Sequence, residues 1–240
     1  MRIAIASHAP YDHSREKHEW LLKWADEIYH IRQPKDLDFG LLKAMEMDYI
    51  FFTHWSEKIP AEIYENFHCI LFHMTDLPYG RGGTPLQNLI LRGHDKTKIS
   101  MIKVEEGMDT GPVYMKWPLG LEGSADQIYR RASDKIFYFM IKDFLMGVLE
   151  DRPTEPVEQA RLAVDRNIPR EIFRRRKPKD SDITEACWDL KEHFDRIRMM
   201  DAPGYPAAYV EVGGFKYFFT KAEYFPEFKK IRAEVVICES

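Results

Sequence analysis

Short apolar runs alternate with amphipathic stretches through the first half of this chain, and that alternation most constrains its fold. Residues 3–6 (Ile-Ala-Ile-Ala), 28–31, 49–52 (Tyr-Ile-Phe-Phe) and 69–72 (Cys-Ile-Leu-Phe) have the length and character of buried strands. Helical patterns lie between them. Residues 16–27 carry Trp20, Leu21 and Trp24 on one face, residues 41–45 follow an Asp38 cap, and Pro60 opens a helix to about residue 66 from the first helical position. Strands separated by helices indicate βαβ units and a parallel sheet, so the class is α/β.

Further strands are expected over residues 98–104 and 113–117, joined by the turn-rich segment 106–111. Ser124 and Gln127 form a capping box, in which each side chain covers an orphan backbone N–H at a helix start. The helix that follows places Ile128, Ala132, Ile136, Phe139 and Met140 at helical spacing, which reads as core packing. Composition shifts after Leu149. Residues 151–156 (Asp-Arg-Pro-Thr-Glu-Pro) read as a linker and residues 174–177 are a basic run. Residues 208–212 and 215–219 flank Gly213-Gly214 as a hairpin with a two-residue turn. The expected organisation is an α/β domain over 1–150 and a linker with a smaller, partly β module over 151–240.

Composition excludes several classes. Of 240 residues 45% are hydrophobic, enough for a real core and against disorder. With 35 Lys and Arg against 39 Asp and Glu, the net charge of −4 gives no bulk attraction for phosphate backbones and argues against general nucleic-acid binding. Cys69, Cys187 and Cys238 show no CxxC spacing and read as reduced thiols; neither a disulfide framework nor a zinc site fits. The N-terminus has no signal-peptide pattern and no segment reaches membrane-span length, so a cytoplasmic protein without a membrane partner is expected. GxGxxG, GxxxxGK[ST] and GxSxG are all absent, which removes support for dinucleotide binding, a P-loop and a nucleophile elbow. His8, His13 and His18 recur every five residues, a spacing that does not gather them on a helix face, and no metal site is expected from them.

The chemistry-bearing segment is residues 72–85, Phe-His-Met-Thr-Asp-Leu-Pro-Tyr-Gly-Arg-Gly-Gly-Thr-Pro. His73 leaves the end of a buried strand, where α/β folds place their ligands. The glycines that follow let backbone approach a ligand, and Arg81 offers a planar cation for an anionic group. Downstream, Asp109 sits in a glycine-flanked loop. A His and an Asp on neighbouring loops can move protons near neutral pH. On spacing alone, structural roles for both residues stay open.

The combination His73-x-x-x-Leu77-Pro78-x-x-Arg81-Gly82-x-x-Pro85 with Glu106-Gly107-x-Asp109-Thr110-Gly111 resembles the formyltetrahydrofolate-dependent formyltransferases. The resemblance continues through residues 173–183 (Phe-Arg-Arg-Arg-Lys-Pro-Lys-Asp-Ser-Asp-Ile), Ile197-Arg198 and residues 201–208. These look like the C-terminal module of sugar and tRNA members. Residues 76–88 look most like formyltransferases of pseudaminic-type acid pathways, which act on the 4-amino group of a UDP-linked amino sugar. In one position the chain departs from the family pattern: Leu71 stands where an Asn two residues before the catalytic His polarises the formyl oxygen. Losing such a donor costs on the order of a hundred- to a thousand-fold in rate unless another group substitutes.

The resemblance implies a Rossmann-like, mostly parallel sheet with flanking helices and a small partly β module. It also implies N10-formyltetrahydrofolate as the formyl donor and His73 and Asp109 as the catalytic pair. The folate is expected against Trp55, Lys58, Ile59, Thr75, Asp76, Leu77, Pro78, Val104, Glu105, Glu106 and Met108. The acceptor is expected near Tyr79, Gly80, Arg81 and Gly82. A nucleotide-sugar acceptor leads among the readings, with methionyl-tRNA and a catalytically silent folate- or nucleotide-binding protein as alternatives. A homodimer is compatible with the resemblance. No metal is implied.

Overall fold

The structure is a computed structural model that describes residues 1–166, 171–184 and 189–240. Its strands are β1 (Arg2–Ala6), β2 (Glu27–Ile31), β3 (Tyr49–Phe52), β4 (His68–His73), β5 (Arg81–Gly82), β6 (Lys96–Lys103), β7 (Val113–Gly120), β8 (Ile172–Phe173), β9 (Ala208–Val212), β10 (Phe215–Phe225) and β11 (Lys230–Glu239). The helices are α1 (Arg15–Leu21), α2 (Phe39–Ala44), α3 (Ala61–Tyr64), α4 (Pro85–Leu91), α5 (Ala125–Lys135), α6 (Lys142–Leu149), α7 (Gln159–Arg166) and α8 (Leu190–Arg198). The main sheet runs β2-β1-β3-β4-β6-β7. Its first four strands are parallel, and β6 pairs antiparallel with β4.

Both faces of the parallel strands are covered, which is why their sequences are apolar without alternation. On one face Ala4, Ala6, Ile50, Phe52 and Cys69 pack with Leu42 of α2 and Ile63 of α3. On the other, the rings of Tyr49 and Phe51 meet Phe144 of α6 at centroid distances of 5.3 and 6.0 Å. Leu42 and Ile63 are fully buried, and each such side chain contributes about 2 kcal/mol by leaving water. Burial also pushes the Cys69 thiol up to about 12, while Cys238 is exposed. Cys187 lies outside the described residues.

Several expected elements change at their edges. The helix expected over 16–27 ends at Leu21, because the chain must turn at once to lay β2 beside β1; Asp26 N–H donates to the Met1 carbonyl at 2.9 Å. Pro60 is the N-cap of α3, one residue before the expected position, and the helix is a single turn. The Ser124–Gln127 capping box is present in both directions, at 3.0 and 3.4 Å. The helix it opens is interrupted by a π-helical segment, Ile136–Ile141, between α5 and α6. A π turn holds more residues than an α turn and rotates the stripe. Phe139, expected in the core, is therefore 42% exposed and stacks on Trp117 at 5.1 Å. Among the described residues no helix is long and apolar enough to cross a membrane.

The described residues divide into two compact units that interleave along the chain. One comprises Met1–Arg81, Lys98–Leu119 and Arg130–Ile172; the other comprises Gly82–Thr97, Gly120–Tyr129 and Phe173–Ser240. In the second unit, Ile183, Ile197 of α8 and Ala208 form a core with Val210 and Phe219 of the antiparallel sheet β11-β10-β9. The β9–β10 turn is Gly213-Gly214 with φ of 60° and 82°. A two-residue turn of this hand needs positive φ at both positions, which glycine adopts without strain. Arg198 is buried and ties this unit internally, donating to Asp195 at 2.6 Å and to the carbonyls of Leu121 and Gly123 at 2.6 and 2.9 Å.

In the first unit three histidines do meet, through a partner the five-residue spacing omits. His13 Nδ1 is 2.8 Å from His30 Nδ1, and His30 Nε2 is 2.9 Å from His18 Nδ1. The Ser7 carbonyl, 2.9 Å from His13 Nε2, can only accept, so His13 carries its proton on Nε2. The neutral chain then has one tautomer throughout: His30 donates from Nδ1 to His13 and accepts from His18. Burial, then the neighbouring His13, His18 and Arg32, push His30 down from 6.5 to about 4. A histidine held neutral in the fold contributes stability above its unfolded value, and this is lost as pH falls from 6.5 towards 4. Thermal melts of wild type are expected to drop steeply across that window, with a shallower drop in His30→Gln. Parallel profiles for the two proteins would contradict the assignment.

Candidate active site

The site is built where β4 ends. His73 is its last residue, one strand over from β3 at the carboxyl edge of the parallel strands, and only 6% of it is exposed. Its ring is held from both sides. Nε2 donates to the Gly80 carbonyl at 2.8 Å, and Nδ1 faces Asp109 Oδ2 at 3.5 Å. A neutral imidazole has one N–H, and Gly80, a carbonyl, requires it. Nδ1 therefore faces the carboxylate as a lone pair, beyond ordinary hydrogen-bond length. A proton arriving on Nδ1 finds an anionic acceptor already in place.

The loop that presents Asp109 is shaped by close contacts. Asp109 has φ of 54°, a left-handed conformation that Asp tolerates better than most residues. Gly111 has no room for a side chain: a Cβ there would sit 1.8 Å from the Lys103 carbonyl oxygen. Thr110 Oγ1 donates to the Glu106 carbonyl at 3.0 Å and closes the turn. Gln159, at the start of α7 and 1% exposed, donates from Nε2 to the carbonyls of Asp109 and Gly111, both at 2.8 Å. Its Oε1 accepts from Arg81 Nε and Nη2 at 2.9 and 2.7 Å. Gln159 was not expected from the sequence. It lies past the 151–156 linker, and a lone Gln at a helix start carries no chemical signature.

The segment between His73 and Arg81 is largely buried. Thr75 Oγ1 donates to the Gly80 carbonyl at 3.4 Å, and Leu77 N–H donates to Ser100 Oγ at 3.2 Å. Asp76 is engaged by two ammonium groups: Lys98 at 2.8 Å and Lys116, which also donates to the Leu77 carbonyl. Burial alone would raise the Asp76 carboxyl, but these two partners hold it below the usual carboxylate range. Leu77 packs with Ile102 and Val113, and Leu71 joins both that cluster and the larger core. The position of the family Asn is thus a packing position here.

The residues expected around the folate fall into two groups. Trp55, Ile59 and Val104 converge on one apolar cluster, and the buried Trp55 indole N–H has no hydrogen-bond acceptor among the described residues. Lys58, Glu105, Glu106 and Met108 are exposed, Met108 to 69%. Tyr79, Arg81 and Gly82 are half-buried and Gly80 is buried. Arg174 and Arg176 of the basic run are turned towards their own turn: Arg174 pairs with Asp180 at 3.0 Å, and Arg176 donates to the Asp180 carbonyl.

The family profile described as the C-terminal domain of methionyl-tRNA formyltransferase matches residues 178–238. A solved structure of methionyl-tRNA formyltransferase from Clostridium thermocellum is 40% identical, with 100% of both chains covered and a TM-score of 0.88. The chain belongs to the formyltransferase family. A second member, the methionyl-tRNA formyltransferase of Sulfurovum sp. (strain NBC37-1), is 33% identical over 163 residues, 67% of this chain and 46% of that protein. A 4-N formyltransferase from Francisella tularensis shares the fold at 15% identity, with a TM-score of 0.66 over 91% of this chain and 96% of its own. This formyltransferase-family chain spans under half the length of the curated relatives it matches.

Proposed function

We propose that the chain is an N-formyltransferase that moves a formyl group from N10-formyltetrahydrofolate to an amine, with His73 and Asp109 as the catalytic pair. One observation carries the reading: a buried imidazole whose Nε2 is committed to a backbone carbonyl while Nδ1 faces a carboxylate. Acyl transfer to an amine forms a bond from the amine nitrogen to the formyl carbon and breaks the bond from that carbon to N10. A proton must leave the amine and arrive at N10. His73 Nδ1 takes the proton, Asp109 stabilises the resulting imidazolium, and the same position returns the proton to the departing nitrogen. The imidazolium also supplies positive charge beside the developing oxyanion, which offsets the loss of the Asn replaced by Leu71.

The donor site has its own support. A pterin is a flat, polar heterocycle, and Trp55, Ile59 and Val104 form an apolar edge with one indole N–H short of an acceptor. A buried donor without a partner costs about 1–3 kcal/mol, and a carbonyl or ring nitrogen of the ligand would remove that cost.

Methionyl-tRNA is the acceptor that the comparisons favour, since the curated relatives carry that name. A specific observation keeps a nucleotide sugar as the second reading. Residues 173–240 hold 13 Lys and Arg against 12 Asp and Glu, without the charge excess expected of an RNA-binding face. Supplying methionyl-tRNA and UDP-4-amino-4,6-dideoxy sugars together and reading product masses tests the choice. Formyl-methionyl-tRNA, formed at a rate that falls steeply with added salt, is the expected outcome. Formylated sugar alone would transfer the assignment to the second reading.

A further inference from the structure

We propose, resting on the formyltransferase reading above, that Gln159 is a positioning residue that locks the Asp109 loop against Arg81 and so sets the distance between Asp109 and His73. The side chain has two chemically different ends and each is used. Its amide nitrogen is shared between the Asp109 and Gly111 carbonyls at 2.8 Å, and its oxygen takes two N–H groups of Arg81 at 2.7 and 2.9 Å. Only one orientation of the amide satisfies all four contacts. Turning it over would set an NH2 against a guanidinium and an oxygen against two carbonyls. The group is buried, so no water can replace a lost partner cheaply.

The two ends join segments far apart in sequence. Arg81 belongs to the turn that follows His73, and Gly80 in the same turn accepts the His73 Nε2 proton. Gly111 lies so close to the Lys103 carbonyl that a Cβ would not fit, and the next residue, Pro112, accepts from Lys103 N–H at 2.9 Å. Asp109 itself holds a left-handed backbone conformation that surrounding contacts must maintain. Gln159 thus ties the turn that orients one nitrogen of His73 to the loop that supplies the partner of the other. A shift of about 1 Å in a catalytic group can cost on the order of a hundred-fold in rate.

Substitution can separate the two ends. Gln159→Glu keeps an acceptor for Arg81 but cannot donate to either carbonyl, and Gln159→Leu removes both functions at similar volume. Initial rates for both, beside wild type and Asp109→Asn, are measured against donor concentration. We expect kcat to fall roughly 10- to 100-fold in Gln159→Leu, with Gln159→Glu no better. The KM for N10-formyltetrahydrofolate should stay within about 3-fold, since the loss falls on the transition state. Asp109→Asn should show the same split, a lowered kcat with little change in KM, because in both variants the carboxylate no longer stands opposite Nδ1.

Wild-type kcat in either Gln159 variant, or a loss confined to KM, would overturn the proposal. A measurement on wild type covers variants that fail to fold: the Gln159 side-chain amide protons should exchange slowly with solvent, and fast exchange would equally overturn it. If wild type itself forms no formyl product with any amine, the activity reading fails; the exchange result separates that failure from failure of the clamp.

Discussion

Replacing His73 with Ala is expected to lower formyl-transfer turnover by roughly a hundred- to ten-thousand-fold while leaving the fold intact. The side chain sits at the end of β4, and its Nε2 contact to Gly80 is a single hydrogen bond. Removing it costs the protein little that the surrounding Phe72, Met74 and Leu77 do not hold in place, all three being buried. What disappears is the ring nitrogen that faces Asp109 Oδ2 at 3.5 Å. Asp109→Asn should fall in the same direction by a smaller factor, because the amide can still orient the ring but cannot balance the imidazolium charge. The check is steady-state kinetics with circular dichroism and thermal melts of each variant. Turnover near wild type in either would remove these residues from the catalytic role.

The second large effect falls on stability and on a residue outside the formyl-transfer pair. Asp12 is completely buried at the carboxyl end of β1, inside a ring of donors. Its Oδ2 accepts from Ser7 and Thr53, both at 2.6 Å, and from His54 Nδ1 at 2.8 Å; its Oδ1 accepts from Ser133. Burial alone would raise the carboxyl, but attraction to His54 and the hydrogen bonds from His54, Ser133 and Ser7 hold it far below the usual range. Asp12→Ala leaves those donors buried and facing a cavity, a loss of about 3–5 kcal/mol. For a chain of this size that corresponds to a Tm lowered on the order of 10 °C.

The pH signature of Asp12 differs from that of His30. A carboxyl depressed in the fold contributes stability above its unfolded value, which is lost as pH falls below about 3.8. Acid melts should therefore show two separable losses, the first assigned to His30 and the second absent from Asp12→Ala. An Asp12→Ala protein as stable as wild type would show that the buried network is not a stabilising one.

The contrast between these two sites explains what could be read from the sequence. β1, β3 and β4 were legible because strands covered on both faces must be apolar throughout, and His73 was legible because it follows one of them directly. Asp109 was legible through the glycines its loop needs, one of which has no space for a Cβ. Asp12 and Gln159 were not legible. Apart from Ser7, five residues before Asp12, each works through partners 41 to 121 residues away in sequence, such as Thr53 and Ser133 for Asp12 and Arg81 for Gln159. Neither residue type announces a buried polar role by its neighbours.

His30 illustrates the same limit. The five-residue spacing of His8, His13 and His18 gave no reason to bring any of them together, and the ring that joins His13 to His18 comes from β2. Phe139 marks a different failure, where a π turn broke the 3.6-residue period on which its placement depended. The hairpin turn at Gly213-Gly214 was found from local chemistry alone, yet β11 was not, because pairing along the outer edge of β10 is a long-range matter.

The proposed role of the His73–Asp109 pair is transfer of a formyl group from a folate to an amine. The most direct test follows an isotopically labelled formyl group on N10-formyltetrahydrofolate through a single turnover of wild-type protein, with methionyl-tRNA and amino-sugar nucleotides supplied. Label on the amine of one acceptor, with tetrahydrofolate released mole for mole, is the expected result. Label recovered only as free formate, or retained on the folate in the presence of both amines, would contradict it.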